Sequence, residues 1–240
     1  MRLTIGWLYP TRMNIYGDRG NVIAMRRRAE WRGLETDVRH IELGDPIPEE
    51  VDLFFFGGGQ DQEQIAVARD LAGRKGDALK AAVESGAALL SVCGGYQLLG
   101  REYRPHDADP LPGIGLFDVE TVAGSERFIG NVIVDTQWGE LVGFENHSGL
   151  TFLKGGARPM GTVRVGRGNN GVDESEGVLY RNAIGCYLHG SLLPKNPVLT
   201  DWLLGAALER RGLQLPPIEL DDQFEREAKI SAMDRAVKTR

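Results

Sequence analysis

One cysteine stands where a thiol can act as a nucleophile. In Ala88-Leu89-Leu90-Ser91-Val92-Cys93-Gly94-Gly95-Tyr96-Gln97-Leu98-Leu99-Gly100 an apolar run ends at Cys93, two glycines follow, and a helical pattern begins. This is the pattern of a nucleophile elbow with cysteine in place of serine. A sharp strand-to-helix turn leaves the side chain exposed at the carboxyl end of a sheet, and small neighbours such as Ser91 and Gly95 permit the turn. The start of the helix presents free N–H groups and positive potential to the sulfur, which favours the thiolate. The Gly94 amide can then face an oxyanion. The other cysteine, Cys186, lies in the apolar run Ala183-Ile184-Gly185-Cys186-Tyr187-Leu188 and reads as a packing residue.

A cysteine nucleophile needs a base, and the chain has four histidines. His40 falls in an alternating strand pattern and reads as surface. His106 falls in a loop. His147, in Phe144-Glu145-Asn146-His147-Ser148-Gly149, is a serious candidate. His189 directly follows the Cys186 strand, so it emerges at a sheet end, where active sites form; it is preferred. A second glycine cluster, Gly57-Gly58-Gly59, follows Asp52-Leu53-Phe54-Phe55-Phe56. It has neither a Gly-Lys-Ser/Thr ending nor a Gly-x-Gly-x-x-Gly spacing, so it is no nucleotide loop. Close backbone approach to a small ligand suits it better, with a glycine N–H there, taken as Gly58, joining Gly94 in the oxyanion pocket. Arg127 supplies a fork of donors that matches a carboxylate.

The elements that position these residues alternate in type. Leu3 to Tyr9, Thr36 to Leu43, Asp52 to Phe56 and Ala87 to Val92 read as strands, and Phe54–Phe56 are apolar enough for burial on both faces. Asn21 to Arg32 and a segment within Asp70 to Ser85 read as helices, stopped by Gly33 and Gly86. Such alternation predicts an α/β fold with a mostly parallel central sheet flanked by helices. From Gly113 to about Tyr187 the chain reads as short strands: Phe117–Val122, Phe128–Thr136, Thr162–Val165 and Gly177–Tyr180. These predict an antiparallel extension. A helix starts at Pro197 after an Asn196 cap, and residues 221–238 form a last helix with a possible docking role. No repeat or linker divides the chain, so residues 1–240 form a single domain.

Composition bounds the function. The 28 basic and 34 acidic residues give a net charge of −6, which argues against a nucleic-acid partner. No apolar run approaches the roughly 20 residues that span a bilayer. Two cysteines make neither a disulfide framework nor a zinc cluster, and no metal site is expected. The stretch Met1 to Pro10 reads as a first strand rather than a signal peptide. A reducing, cytoplasmic setting is expected.

The segment Ser91-Val92-Cys93-Gly94-Gly95-Tyr96-Gln97 resembles the Gly-x-Cys-x-Gly-x-Gln elbow of class I (triad-type) glutamine amidotransferases, with serine at the first glycine. Four further segments narrow the resemblance to the cobyric-acid-synthase-like branch, and within it to glutaminase subunits that serve lipid II amidation. They are residues 14–21, 57–64, 143–149 and 187–197, and the likeness spans nearly the whole chain. It implies a flavodoxin-like amidotransferase fold and hydrolysis of L-glutamine to glutamate and ammonia. Cys93 would be the nucleophile and His189 the base. Arg127 would hold the substrate α-carboxylate, and Gln97 would bind glutamine or brace the elbow.

The chain shows no ATP motif, and activating a carboxylate for amidation needs ATP. The resemblance therefore implies a MurT-like, ATP-dependent synthetase subunit as partner, with no cofactor in this chain. One departure stands out. The wider class has His-x-Glu, whereas Ser191 occupies the second position after His189. Either a Cys–His pair suffices or a carboxylate comes from elsewhere. The resemblance implies an aspartate of the partner; Asp18 and Glu145 are candidates within the chain.

Overall fold

The apolar runs pair side by side to make the core sheet. The computed structural model describes residues 1–106 and 109–238. Strands β1 (Arg2–Leu8), β2 (Glu35–Ile41), β3 (Leu53–Phe56), β4 (Ala88–Val92), β11 (Val178–Tyr180) and β12 (Ala183–Cys186) form one sheet, ordered β11-β12-β4-β3-β1-β2. All neighbours are parallel except the edge pair β11/β12. Every residue of β3, β4 and β12 is buried, as unbroken apolar runs require in a sheet covered on both faces.

The crossover from β1 to β2 carries α1 (Arg19–Trp31), and that from β3 to β4 carries α2 (Asp61–Leu71) and α3 (Arg74–Glu84). They step outward in opposite directions from the sheet centre, so right-handedness puts them on opposite faces. Helix α5 (Pro197–Glu209) packs beside α1. The single helix expected within residues 70–85 is in fact preceded by α2. Ala72 is extended and Gly73 takes φ 77°, which breaks the two helices apart.

The expected antiparallel part is a sheet of its own. It contains β5 (Glu102–Arg104), β6 (Leu111–Pro112), β7 (Val119–Thr136), β8 (Gly139–Leu153), β9 (Gly161–Val165) and β10 (Ser175–Glu176). Its order is β10-β9-β7-β5-β6, with β8 also on β7, and it is antiparallel except where β5 runs parallel to β7. The two strands expected at 117–122 and 128–136 are one strand, β7, interrupted by a bulge between Ala123 and Phe128. The short helix α4 (Gly94–Leu99) follows β4 directly, and α6 (Gln223–Lys238) closes the chain.

Helix α6 lies on the β7/β8 hairpin, where Ala232, Met233 and Ala236 pack against Ile133, Val142 and Val165. Its other face leaves Phe224, Ile230 and Val237 exposed. Among the described residues no helix is long and apolar enough to cross a membrane.

Candidate active site

Four neighbouring strands of the parallel sheet, β12, β4, β3 and β1, each end in a loop that supplies one part of a shared site. The strand carboxyl edge is where such sheets hold ligands. The loops carry His189, Cys93, Gly57–Gly59 and Asp18 in that order across the sheet.

Cys93 sits between β4 and α4 with φ 51° and ψ −109°, a backbone state that L side chains rarely adopt. The surrounding structure over-determines that state. The Cys93 amide donates to Cys186 O at 2.9 Å, the Gln97 amide donates to Cys93 O at 2.9 Å, and the Gly95 amide donates to Gly57 O at 3.1 Å. A Cβ on Gly95 would lie 2.6 Å from Phe56 O, so the turn can close only with glycine there. Cys186, by contrast, is fully buried, and burial pushes its thiol well above the ordinary range, as a packing role requires.

His189 stands across Gly58 from Cys93. A Cβ on Gly58 would lie 2.8 Å from His189 Cε1 and 3.3 Å from Cys93 Cβ. Glycine is thus the residue that lets thiol and imidazole approach. The His189 backbone is clipped to β8: its amide donates to Phe144 O at 2.8 Å, and the Phe144 amide donates to His189 O at 3.2 Å. Its Nδ1–H donates to Asp18 Oδ1 at 3.0 Å, and its buried Nε2 has no hydrogen-bond partner. Burial pulls against a charge on this ring. The influence of Cys93, followed by that of Asp18 and its hydrogen bond, outweighs burial and raises the pKa to about 10. A charged imidazole beside a thiol favours the nucleophilic form of the sulfur.

The glycine expected as an oxyanion donor is otherwise engaged. Gly58 N–H donates to Asp18 Oδ2 at 2.7 Å, so the carboxylate takes up that amide, and Gly58 separates the reacting groups instead. Gly94, directly after Cys93, opens α4. Glu145 is excluded as the orienting carboxylate. It is spent on the backbone amides of Arg167, at 3.0 and 3.1 Å, and Gly168, at 3.0 Å. Burial raises its pKa to about 7.

Beside Cys93 opens a cavity of about 630 Å³, which also touches Gln97, Arg127, Asn146, His147 and Tyr16. Arg127 projects from the bulge of β7, a device that re-aims side chains. It donates from Nε to Asn146 Oδ1 at 2.7 Å and from Nη2 to Tyr16 OH at 3.2 Å. Gln97 is buried; its Nε2 donates to Tyr187 OH at 3.1 Å, which braces α4 against the strand exit of β12. His147 stacks on Tyr187 with ring centroids 3.6 Å apart, and its Nδ1–H donates to Gly149 O at 2.8 Å. Burial lowers its pKa to about 3, so it stays neutral. His40 and His106 are exposed and do not line the cavity.

The structure therefore brings together Cys93, His189, Gly58, Gly94, Gln97 and Arg127. Tyr16 and Asn146, which hold Arg127, were not singled out from the sequence. Both fall within segments 14–21 and 143–149, whose composition was the available signal. A thiol, an imidazole and a buried carboxylate in line is the constellation of nucleophilic acyl transfer.

Comparison with known proteins agrees with this chemistry. Residues 4–197 match the CobB/CobQ-like glutamine amidotransferase domain. The chain is 42% identical over 98% of its length to the GatD subunit of the glutamine-hydrolysing lipid II isoglutaminyl synthase of Staphylococcus aureus, covering 96% of that protein. It is 37% identical over 91% of its length to the corresponding Streptococcus pneumoniae subunit, covering 86% of it. Among solved structures, PurLQS from Thermotoga maritima superposes with a TM-score of 0.59 at 16% identity, over 89% of this chain and 100% of the matched one. That likeness is one of fold.

Proposed function

Because this chain belongs to the CobB/CobQ-like glutamine amidotransferase family, we propose that it is the glutaminase subunit of a lipid II isoglutaminyl synthase. The observation that carries the glutaminase reading is the placement of Cys93, on its strained elbow, across Gly58 from His189. The lipid II assignment draws on the near end-to-end likeness to the two GatD subunits.

Glutamine enters the cavity with its α-carboxylate on Arg127, whose planar fork is already oriented by Asn146 and Tyr16. The Cys93 thiolate attacks the side-chain amide carbon. The oxyanion of the tetrahedral intermediate accepts from the Gly94 amide, a contribution of about 3 kcal/mol to the barrier. His189 gives its proton to the leaving nitrogen, the C–N bond breaks, and ammonia departs, leaving a thioester on Cys93. Neutral His189 then takes a proton from water, the hydroxide adds to the thioester carbonyl, and glutamate leaves as the thiolate reforms. Gln97 braces the elbow through Tyr187.

The ammonia passes to a MurT-like, Mur-ligase-like synthetase subunit that binds ATP, in a cytoplasmic heterodimer. That partner amidates the D-glutamate of lipid II to D-isoglutamine, a step of peptidoglycan synthesis and hence of cell-wall biogenesis and cell shape.

The test is reconstitution. The chain is purified with its synthetase subunit and supplied with glutamine, ATP and lipid II. Glutamate release and amidated lipid II are measured. The native protein should give both. Cys93→Ala should give neither from glutamine, yet still amidate lipid II when ammonium chloride is added. Glutamate release by Cys93→Ala at the native rate overturns the reading. Glutamate release without lipid II amidation overturns only the choice of acceptor and favours another acid of this branch, such as a corrinoid.

A further inference from the structure

A glutamine side chain in the first turn of a helix ordinarily reaches water. Gln64, in the first turn of α2, is only 3% exposed. Its Nε2 donates to Gly59 O at 3.1 Å, and its buried Oε1 has no hydrogen-bond partner. The Gly59 carbonyl settles which end of the amide is which. Turned over, the group would set Oε1 against another acceptor. The atom left over is therefore an acceptor. Buried polar atoms are satisfied almost everywhere in folded proteins, so this one marks a place where something else completes the bond.

Gln64 stands at the reacting end of the cavity. It lines the same cavity as Cys93. Its amide rests on Gly94: a Cβ there would come within 2.9 Å of Gln64 Nε2 and 3.1 Å of Gln64 Cδ. The Gly94 amide faces the oxyanion, so Gln64 neighbours the carbonyl under attack. Arg127 marks the other end of the substrate, the α-carboxylate. Two more buried atoms of cavity-lining residues, Gln97 Oε1 and His147 Nε2, also have no partner. Gln97 is tied to the Tyr187 hydroxyl, and His147 follows Asn146, which holds Arg127. Of the three side chains, that of Gln64 comes nearest to the Cβ position of Gly94.

We propose that Gln64 is a specificity-determining residue: its Oε1 accepts an N–H of the substrate's side-chain carboxamide and so selects the amide over the corresponding acid. This rests on the glutaminase reading and deepens it. A carboxamide brings two N–H donors that lose water on entering the cavity, and they need acceptors in return. A carboxylate in the same place offers only lone pairs and meets Oε1 acceptor to acceptor. The group that favours glutamine thus disfavours the product, glutamate. A site built around an N–H donor rejects an analogue that lacks it more strongly than shape alone can. A neutral acceptor also suits the position, because a carboxylate so close to Cys93 would disfavour the thiolate.

The test compares two substrates, L-glutamine and L-glutamate γ-methyl ester, on the full chain with its synthetase subunit. Both carry the α-groups and the carbonyl, and only glutamine carries the N–H. Gln64→Met keeps the length of the side chain and removes the acceptor. It should lower kcat/KM for glutamine by about 30-fold and that for the ester by no more than about threefold. Equal losses on both substrates overturn the proposal; a mere prop for Gly59 and Gly94, or a contact to the α-ammonium, would give that result. Native activity on both also overturns it. Should Gln64→Met fail to fold, calorimetry on Cys93→Ala decides, since Gln64 is intact there. Glutamine should bind at least about tenfold more tightly than glutamate, and equal affinities overturn the proposal. A native chain that cleaves neither substrate overturns the glutaminase reading, and this inference with it. A native chain that cleaves both, with Gln64→Met losing them alike, overturns this inference alone.

Discussion

Two histidines near Cys93 end in opposite protonation states, and their surroundings explain why. His189 faces Cys93 and Asp18, which overcome burial and raise its pKa to about 10. His147 meets burial with only the Gly149 carbonyl opposing it, and falls from 6.5 to about 3. Such divergence assigns acid–base roles at a site. It also has a consequence for stability. The unfolded chain takes up a proton on His147 as pH falls through 6.5, while the folded chain resists until about 3. Stability from this residue is therefore present above pH 6.5 and is lost as pH falls below it. Between pH 7.5 and 5 the native chain should lose about 2 kcal/mol that His147→Gln does not lose. Urea unfolding of both at the two pH values checks this; equal losses contradict it.

At the scale of elements, the pairing of β8 with the start of α5 depends on one side chain. Asn196 is fully buried. Its Oδ1 accepts from the Val142 amide at 3.1 Å, and its Nδ2 donates to Val142 O at 2.8 Å and Leu192 O at 2.7 Å. Asn196→Ala strands the Val142 amide and carbonyl, while Leu192 O keeps the Lys195 amide at 3.3 Å, and should cost about 3 kcal/mol. Asn196→Asp should also destabilise, because a carboxylate cannot donate to two carbonyls. Thermal unfolding of both variants tests this; a native melting temperature in either refutes it.

The sequence marks Asn196 as the residue before a helix but not this clamp, because the clamp's other half lies 54 positions away. The same reason separates the legible from the illegible elsewhere. Phe54–Phe56 and Ala88–Val92 declare themselves as buried strands through local composition, and Cys93-Gly94-Gly95 declares its turn. Strand β8 was not marked out, because Gly143 and Gly149 interrupt its pattern and its register comes from β7. The engagement of Gly58 by Asp18 and the His189–Asp18 bond, 171 positions apart, are products of strand order rather than of any local pattern.

Across the whole molecule, the C-terminal helix is held by a buried ionic clamp. Arg28 of α1 is only 3% exposed. It bonds Asp201 of α5 through two nitrogens, both at 2.8 Å, and bonds Asp222 just before α6. Arg28→Ala leaves Asp222 without its partner, while Asp201 keeps Arg32 at 2.8 Å, and should cost about 2 kcal/mol. The loss should be uneven. Amide hydrogen exchange should quicken across residues 223–238 and change least in β3 and β4, which are buried on both faces. Uniform quickening across the chain would show that the clamp serves the core rather than the helix.

The order of the central sheet sets when activity can first exist. Residues 18, 58 and 93 come from the leading part of the chain, yet the imidazole that serves them stands at position 189, after the last parallel strand, β12. A ribosome-bound chain lacking β12 carries the thiol but no base. Long-range pairing of this kind forms late. Glutamine is thus spared from premature cleavage by nascent chains that stop short of β12, and hydrolysis waits on the emergence of residue 189.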